Sequence, residues 1–390
     1  MTGVTAPLGF RAAGVTAGLK ASGKPDLALV VNDGPLTAAA GVFTSNRVFA
    51  APVRWCREVV ADGALSAVVL NSGGANACTG AAGYADTVAT AERLAEALDI
   101  DPQRVAVAST GLIGERLPMQ LLLPGVTAAV AGLGADGADG GADAAVAIMT
   151  TDSVPKTAQV SVGGFTVGGM AKGAGMLAPG LATMLVVLTT DAVAEPADLD
   201  AALRAATRVS FDRLDSDGAM STNDTVLLLA SGASAVTPES AALTTAVTRV
   251  CQDLARQLMA DAEGATKEIA IEVRHAGSED AAVAVGRSVA RNNLVKTAFF
   301  GQDPNWGRIL AAVGTVPEDV AAFDADAIDV AINGVWICRG GATGEDRGLV
   351  DLSGRAVSVT IDLHAGTETA TVYTNDLSHA YVHENSAYST

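Results

Sequence analysis

The chain has 390 residues, of which 49% are hydrophobic and 4% aromatic, so it can bury a large core built from small aliphatic side chains. Its formal net charge of −18 argues against nucleic acid or an anionic membrane surface as a partner, because both would repel it. The sequence opens with no basic stretch followed by an apolar one, and we expect a cytoplasmic protein.

Strands are predicted by short runs rich in Val, Leu and Ile. These runs lie at 27–31, 67–70, 105–108, 184–188, 225–229, 269–273, 357–361 and 369–373, and 159–167 predicts a hairpin around Gly163 and Gly164. Helices are predicted over 84–98 and 243–258 and from Ser278 to about residue 295. Residues 128–147 are nearly all Ala, Gly and Asp, which predicts a permissive surface connection, either irregular throughout or with a helical end. The mixture indicates an α/β or α+β fold.

Lys172 and Thr183 are the first candidates for chemistry. Lys172 is the single charged residue between Thr157 and Thr190, and an unpaired buried ammonium is costly, which favours a pocket. Thr183 follows Ala182 at the start of an apolar run. A threonine hydroxyl needs a base, and cleavage before Thr183 would free its own α-amine, with a pKa near ~8, for that role. From spacing alone, a threonine inside a buried strand is the simpler interpretation.

Two hydroxyl-rich turns offer hydrogen-bond donors. Ser109, Thr110 and Gly111 end a predicted strand and suit an oxyanion hole, although an ordinary strand-to-helix turn has the same composition. Thr150 and Thr151 lie in a second such turn, which local side-chain capping also explains.

A helix end and the C-terminal tail supply further candidates. Glu263 lies at the carboxyl end of a predicted helix, where the helix dipole disfavours a carboxylate, so a cationic partner is expected. That partner is either Lys267 or a ligand amine. The tail carries Asn385 and Thr390 and either frays or folds back over a pocket.

The sequence predicts neither a metal site nor a cofactor site. The four cysteines form no CxxC pair, no histidine stands at ligand spacing, and free thiols are favoured over disulfides. The glycine-rich stretch 73–80 lacks the GK[ST] of a P-loop, and 215–218 lacks the later ligands of an EF-hand.

Taken together, these motifs resemble the ornithine acetyltransferase family of arginine biosynthesis, also called bifunctional glutamate N-acetyltransferase. The resemblance runs nearly from end to end, through the segments 4–14, 71–80, 109–114, 149–152, 169–179, 182–185, 215–218, 301–308 and 384–385. It implies an α/β (α+β) fold with β-sheets layered between helices, similar in chemistry to N-terminal-nucleophile hydrolases. It also implies self-cleavage between Ala182 and Thr183 into an α chain, 1–182, and a β chain, 183–390.

The resemblance assigns roles to individual residues. Thr183 is implied as the nucleophile, with the Thr110 hydroxyl and the Gly111 N–H holding the oxyanion. The implied substrate-binding positions are Thr150, Lys172, Thr183, Glu263, Asn385 and Thr390, with Thr150 and Thr151 left as alternatives for one of them. From charge alone, Lys172 suits the substrate α-carboxylate and Glu263 a cationic amine.

The implied reaction is a ping-pong transfer of acetyl from N2-acetylornithine to glutamate, which yields ornithine and N-acetylglutamate without cofactor or metal. Whether acetyl-CoA also donates acetyl is left open. The implied assembly is an α2β2 heterotetramer. The alternatives are a self-cleaving aminopeptidase or amidohydrolase on the same scaffold, and a non-catalytic metabolite-binding protein.

Overall fold

The computed structural model describes residues 2–134, 139–176 and 184–387. Its strands are β1 Phe10–Val15, β2 Leu27–Asn32, β3 Ala38–Phe43, β4 Ala67–Asn71, β5 Val105–Ser109, β6 Lys156–Val162, β7 Phe165–Lys172, β8 Leu185–Thr190, β9 Thr225–Ala230, β10 Glu268–Ala276, β11 Asp329–Ile332, β12 Val335–Arg339, β13 Ala342–Thr343, β14 Ala356–Asp362 and β15 Glu368–Asn375. Its α-helices are α1 Ala51–Val59, α2 Gly80–Leu98, α3 Met119–Ala131, α4 Gly140–Ala147, α5 Pro196–Arg208, α6 Ser240–Ala260, α7 Glu279–Ala290, α8 Asn293–Phe300, α9 Trp306–Val313 and α10 His379–Ala387.

The strands form three sheets with helices packed against them. The first sheet has the order β1-β2-β4-β5, the second β3-β9-β8-β7-β6, and the third β13-β12-β11-β14-β10-β15. Helices α1 and α2 pack on β5 of the first sheet, α5 and α6 on the second, and α7 on β10 and β15 of the third. This arrangement confirms the expected mixed fold of sheets between helices.

Strand β8 contributes to two cores because both of its faces are buried. Leu185 and Val187 join the core of the first sheet, whereas Val186 and Leu188 join the core under α5 and α6. Successive side chains of a strand point to opposite faces, so an unbroken apolar run is what such a position requires. The first two sheets are therefore held together through β8 and its neighbours.

The predicted strands, the hairpin and the helices over 84–98 and 243–258 are confirmed. The hairpin turn is made by Gly163 and Gly164, with φ of 59° and 85°, the positive values that a tight two-residue turn demands. No helix in the described parts of the chain is long and apolar enough to cross a membrane.

One sequence prediction is wrong, and a second is right only about a helical end, which is α4. The helix expected from Ser278 to about residue 295 is two helices, because the Asn292 side chain accepts the N–H groups of Leu294 and Val295 and so starts α8 afresh. The stretch 128–147 is not merely a surface connection. It contains the end of α3 and all of α4, and α4 packs on β1 with Ala144 and Ala145 fully buried.

Candidate active site

A cavity of about 200 Å³ brings together residues that are far apart in the sequence. Its walls include seven of the residues singled out above: Thr110, Gly111, Thr150, Thr151, Lys172, Glu263 and Asn385. Both threonines of the 150–151 turn line it, so the choice between them stays open. The cavity lies where the ends of β5 and β7 meet the end of α6 and the helix α10.

Lys172 ends β7 with its side chain buried in the cavity wall. Within the described chain its ammonium makes one hydrogen bond, a donation to Thr110 Oγ1 at 3.2 Å. Burial lowers the pKa of Lys172, while the carboxylate of Asp152 opposes that shift. An ammonium with this little compensation is suited to an anionic ligand group.

Two adjacent donors beside Lys172 have no acceptor in the described chain. The Thr110 hydroxyl accepts from Lys172, which leaves its own proton available, and the Gly111 N–H is likewise unused. Gly111 has φ of 134°, and a Cβ there would lie 2.7 Å from the backbone nitrogen of Gly74. Only glycine therefore fits, and the strand end presents O–H and N–H side by side, as an oxyanion hole requires.

The Asp152 carboxylate interacts with the charges of two buried lysines, Lys172 and Lys156. Lys156, fully buried at the start of β6, donates to Asp152 Oδ1 and to Asp261 Oδ2, each at 2.6 Å. The Gly173 N–H donates to the same Asp152 oxygen at 2.7 Å. Burial alone would raise the pKa of Asp152, but the two lysines and this N–H lower it to about 2. The cavity wall is thus built on an ion-paired network that the sequence did not reveal.

Glu263 enters the cavity just after α6. Its Oε2 accepts from Asn385 Nδ2 at 2.8 Å, which fixes the α10 side of the site. A Cβ on Gly175 would lie 2.6 Å from the same oxygen, so a larger residue there would push the carboxylate aside. Lys267 is not its partner: that ammonium donates to the carbonyls of Leu352 and Gly354. The Glu263 carboxylate does act on the buried Lys172, because it opposes the lowering of that lysine's pKa by burial.

Three further lining residues were not among the predicted site residues. Asp217 accepts the Met176 N–H at 2.8 Å, and burial raises its pKa. Asn223 Nδ2 donates to the carbonyls of Ala75 and Ser109, which anchors the end of β5. Tyr381 of α10 lies beside Asp217, and burial raises the pKa of its phenol. The Asp-Ser-Asp-Gly run 215–218 belongs to the segments that carry the family resemblance, but no role in the site was predicted for Asp217.

Ala182, Thr183 and Thr390 lie outside the described residues. The residue after Thr183 is described: the Met184 N–H donates to Asp224 Oδ1 at 3.1 Å. Asp224 is fully buried, its Oδ2 has no hydrogen-bond partner in the described structure, and burial raises its pKa well above the ordinary value.

A group able to hold a metal ion occurs elsewhere in the described structure. It consists of His275, Asp362 and His364, and none of the three lines the cavity.

Comparison with known proteins places the chain in a family. Residues 11–390 match the ArgJ family. The arginine biosynthesis bifunctional protein ArgJ of Streptomyces avermitilis is 65% identical, over 99% of this chain and 99% of the relative. The protein of the same name from Thermobifida fusca is 64% identical, over 99% of this chain and 100% of the relative. A crystal structure of ornithine acetyltransferase with ornithine from Mycobacterium tuberculosis is 59% identical, with a TM-score of 0.45, covering 47% of this chain and 96% of that one. This chain belongs to the ArgJ family.

Proposed function

We propose that the protein is an acetyltransferase of arginine biosynthesis that moves acetyl from N2-acetyl-L-ornithine to L-glutamate. The observation that carries this proposal is the buried Lys172 ammonium, bonded only to Thr110 within the described chain, in a cavity that also holds the Glu263 carboxylate. Acetylornithine has a carboxylate at one end and a cationic amine at the other. Lys172 suits the first and Glu263, with Asp217 nearby, the second.

The nucleophile proposed for this reaction is Thr183, freed by self-cleavage. The Thr183 hydroxyl attacks the Ala182 carbonyl, the peptide C–N bond breaks to give an ester and a free α-amine, and water then hydrolyses the ester. The products are an α chain, 1–182, and a β chain, 183–390, that begins with threonine. An α-amine near its ordinary pKa of ~8 is then available as the base.

The transfer proceeds in two halves. Thr183 Oγ attacks the acetyl carbonyl while the α-amine takes its proton, and the Thr110 hydroxyl and Gly111 N–H stabilise the oxyanion. The C–N bond breaks, ornithine leaves with the proton, and acetyl-threonine remains. The amine of glutamate attacks that ester, which releases N-acetylglutamate and restores the threonine. Thr150 or Thr151, Asn385 and Thr390 complete the proposed substrate contacts.

The proposed assembly is a cytoplasmic α2β2 heterotetramer. We also propose acetyl-CoA as a second acetyl donor, because the relatives are named bifunctional proteins. It is tested by incubating glutamate with acetyl-CoA alone and measuring N-acetylglutamate.

A gel and a turnover assay test the central proposal. We expect the 39.0 kDa chain to give two bands, the second with threonine at its N-terminus, and Thr183→Ala to stay uncut. Acetylornithine turnover should require glutamate, and Lys172→Met should abolish it, while Lys24→Met, at an exposed position, should not. Equal turnover without glutamate would indicate a hydrolase. An uncut, inactive wild-type protein would overturn the proposal.

A further inference from the structure

Two histidines and an aspartate meet at one edge of the third sheet. His275 is in β10, Asp362 ends β14, and His364 follows it. His275 Nδ1 lies 2.8 and 2.9 Å from the two Asp362 carboxylate oxygens, and His364 Nδ1 lies 3.5 Å from Asp362 Oδ1. One potential ligand atom from each of the three residues falls within 4.8 Å of the others. The three residues can therefore offer these atoms to a single metal ion.

The backbone places the imidazole rings of His275 and His364 next to each other. The run His-Ala-Gly occurs twice, at 275–277 and 364–366, at the ends of β10 and β14, which pair in parallel. His275 and His364 have φ of 51° and 50°, the left-handed region that non-glycine residues seldom adopt. Their rings stack with planes 24° apart and centroids at 6.1 Å. Such backbone conformations cost free energy and cluster at binding sites.

Asp329 fixes the orientation of the His364 ring. His364 Nε2 lies 3.1 Å from Asp329 Oδ2, and that carboxylate is itself held by Arg339 and by the Gly340 N–H. The other ring nitrogen, Nδ1, faces a carboxylate oxygen of Asp362. A ring held through Nε2 in this way presents Nδ1 as the nitrogen that can bind an ion.

We propose that His275, Asp362 and His364 form a binding site for a divalent transition-metal ion such as Zn²⁺, with Asp329 as a positioning residue. Two imidazoles and one carboxylate form a ligand set that suits Zn²⁺, Co²⁺ and Ni²⁺. A carboxylate that accepts the far ring N–H of a ligating histidine is a common second layer of such sites. The histidine side chains are 53% and 46% exposed, so solvent can reach the ion and fill its remaining positions.

The bound ion would tie the ends of β10 and β14 to each other and, through Asp329, to β11. None of these residues lines the cavity described above, so the site is independent of acetyl transfer.

Isothermal titration of the full-length, chelator-treated protein with ZnCl₂ tests the proposal. We expect one ion per chain, and Co²⁺ should give visible d–d absorption bands. His275→Asn and His364→Asn should each weaken binding by at least about tenfold, because asparagine tolerates the left-handed backbone but removes the imidazole. Asp329→Asn should weaken it by about 10- to 100-fold. His383→Ala and Cys78→Ser, exposed elsewhere, are the controls.

Thermal melting without metal shows whether each variant is folded, and His364→Gly, which relieves the positive φ, supplies a second folded variant without the ligand. The proposal is overturned if millimolar Zn²⁺ gives no binding. It is equally overturned if the His275→Asn/His364→Asn double variant binds as the wild type does.

Discussion

Replacing Asp152 by asparagine should destabilise the protein at neutral pH, because this carboxylate lies against two buried lysines. Asp152 Oδ1 accepts from Lys156 at 2.6 Å and from the Gly173 N–H at 2.7 Å, and the Lys172 charge also acts on it. Asparagine keeps the shape of the side chain and loses its charge. Lys172 would lose its main favourable charge, while Lys156 would keep Asp261.

The size of the effect follows from the pKa of Asp152, which is lowered from 3.8 to about 2 because the lysines outweigh burial. At about 1.36 kcal/mol per pKa unit, this shift corresponds to about 2–3 kcal/mol of stability at neutral pH. Breaking a buried ion pair typically costs about 3–5 kcal/mol, and Lys156 retains one partner, so we expect about 2–4 kcal/mol.

The pH dependence has a definite sign. The pKa of Asp152 is lower in the folded state, so its contribution is complete well above pH 3.8 and is lost as the pH falls through about 2. About half of it should be gone by pH ~3. Urea unfolding of the wild type and Asp152→Asn, from neutral pH down to pH ~3, should therefore show the two free energies of unfolding converging.

Asp224→Asn is the matched control in the same unfolding series. Asp224 is also fully buried, but burial raises its pKa well above the ordinary value and no lysine or arginine bonds to it in the described chain. Burial disfavours the charged form of Asp224, so losing that charge should cost less stability at neutral pH than it does at Asp152. A difference in unfolding free energy between the wild type and Asp152→Asn that stays constant from neutral pH to pH ~3 would contradict this prediction. An equal loss of stability in Asp224→Asn would contradict it as well.

Two further substitutions test the cavity. Gly111→Ala should cost about 1–3 kcal/mol in stability and abolish acetyl transfer, because its Cβ would meet Gly74 and displace the N–H donor. Gly114→Ala is its control in unfolding and activity assays, since that glycine also has positive φ but open space around it, and retained activity in Gly111→Ala would contradict the assignment. Glu263→Gln should raise KM for acetylornithine on the order of tenfold, ~1.4 kcal/mol, with a smaller effect on KM for glutamate. Steady-state kinetics with each substrate varied measure this, and an unchanged KM for acetylornithine would remove the amine-binding role.

The strands were predictable where the sequence carries a strong apolar signal, and α4 was not. Strands such as β2, β8 and β9 are buried along their whole length, which produces unbroken Val and Leu runs. Helix α4 consists mostly of Ala and Gly, with little periodic pattern. A Cβ at Gly140 would lie 1.9 Å from the Ala12 carbonyl oxygen, so α4 depends on a close approach to β1. A contact of that kind is a property of the tertiary structure and leaves no local pattern.

Some residues of the cavity were also predictable from the sequence, and others were not. Lys172 was predictable because it is an isolated charge in an apolar stretch. In the Asp152–Lys156–Asp261 network, by contrast, the bonded residues Lys156 and Asp261 are 105 positions apart. His275 and Asp362 are 87 positions apart, and only the parallel pairing of β10 and β14 brings them together. The spacing of residues along the sequence can reveal a site whose residues lie in one helix or strand. The residues of both groups come from different elements, so their spacing gives no such signal.

The second sheet also bears on what the proposed cleavage would do to the molecule. Strands β3, β6 and β7 precede Thr183, while β8 and β9 follow it, and the sheet order β3-β9-β8-β7-β6 interleaves them. The β7 residues 167–172 pair with the β8 residues 185–190, and β3 pairs with β9 along six residues on the other side. Separating the two chains would break both ladders and expose the cores on both faces of β8. We therefore expect the cleaved chains to co-elute in native size-exclusion chromatography and to separate only in denaturant. Dissociation in native buffer would show that the interleaved sheet is not what holds them together.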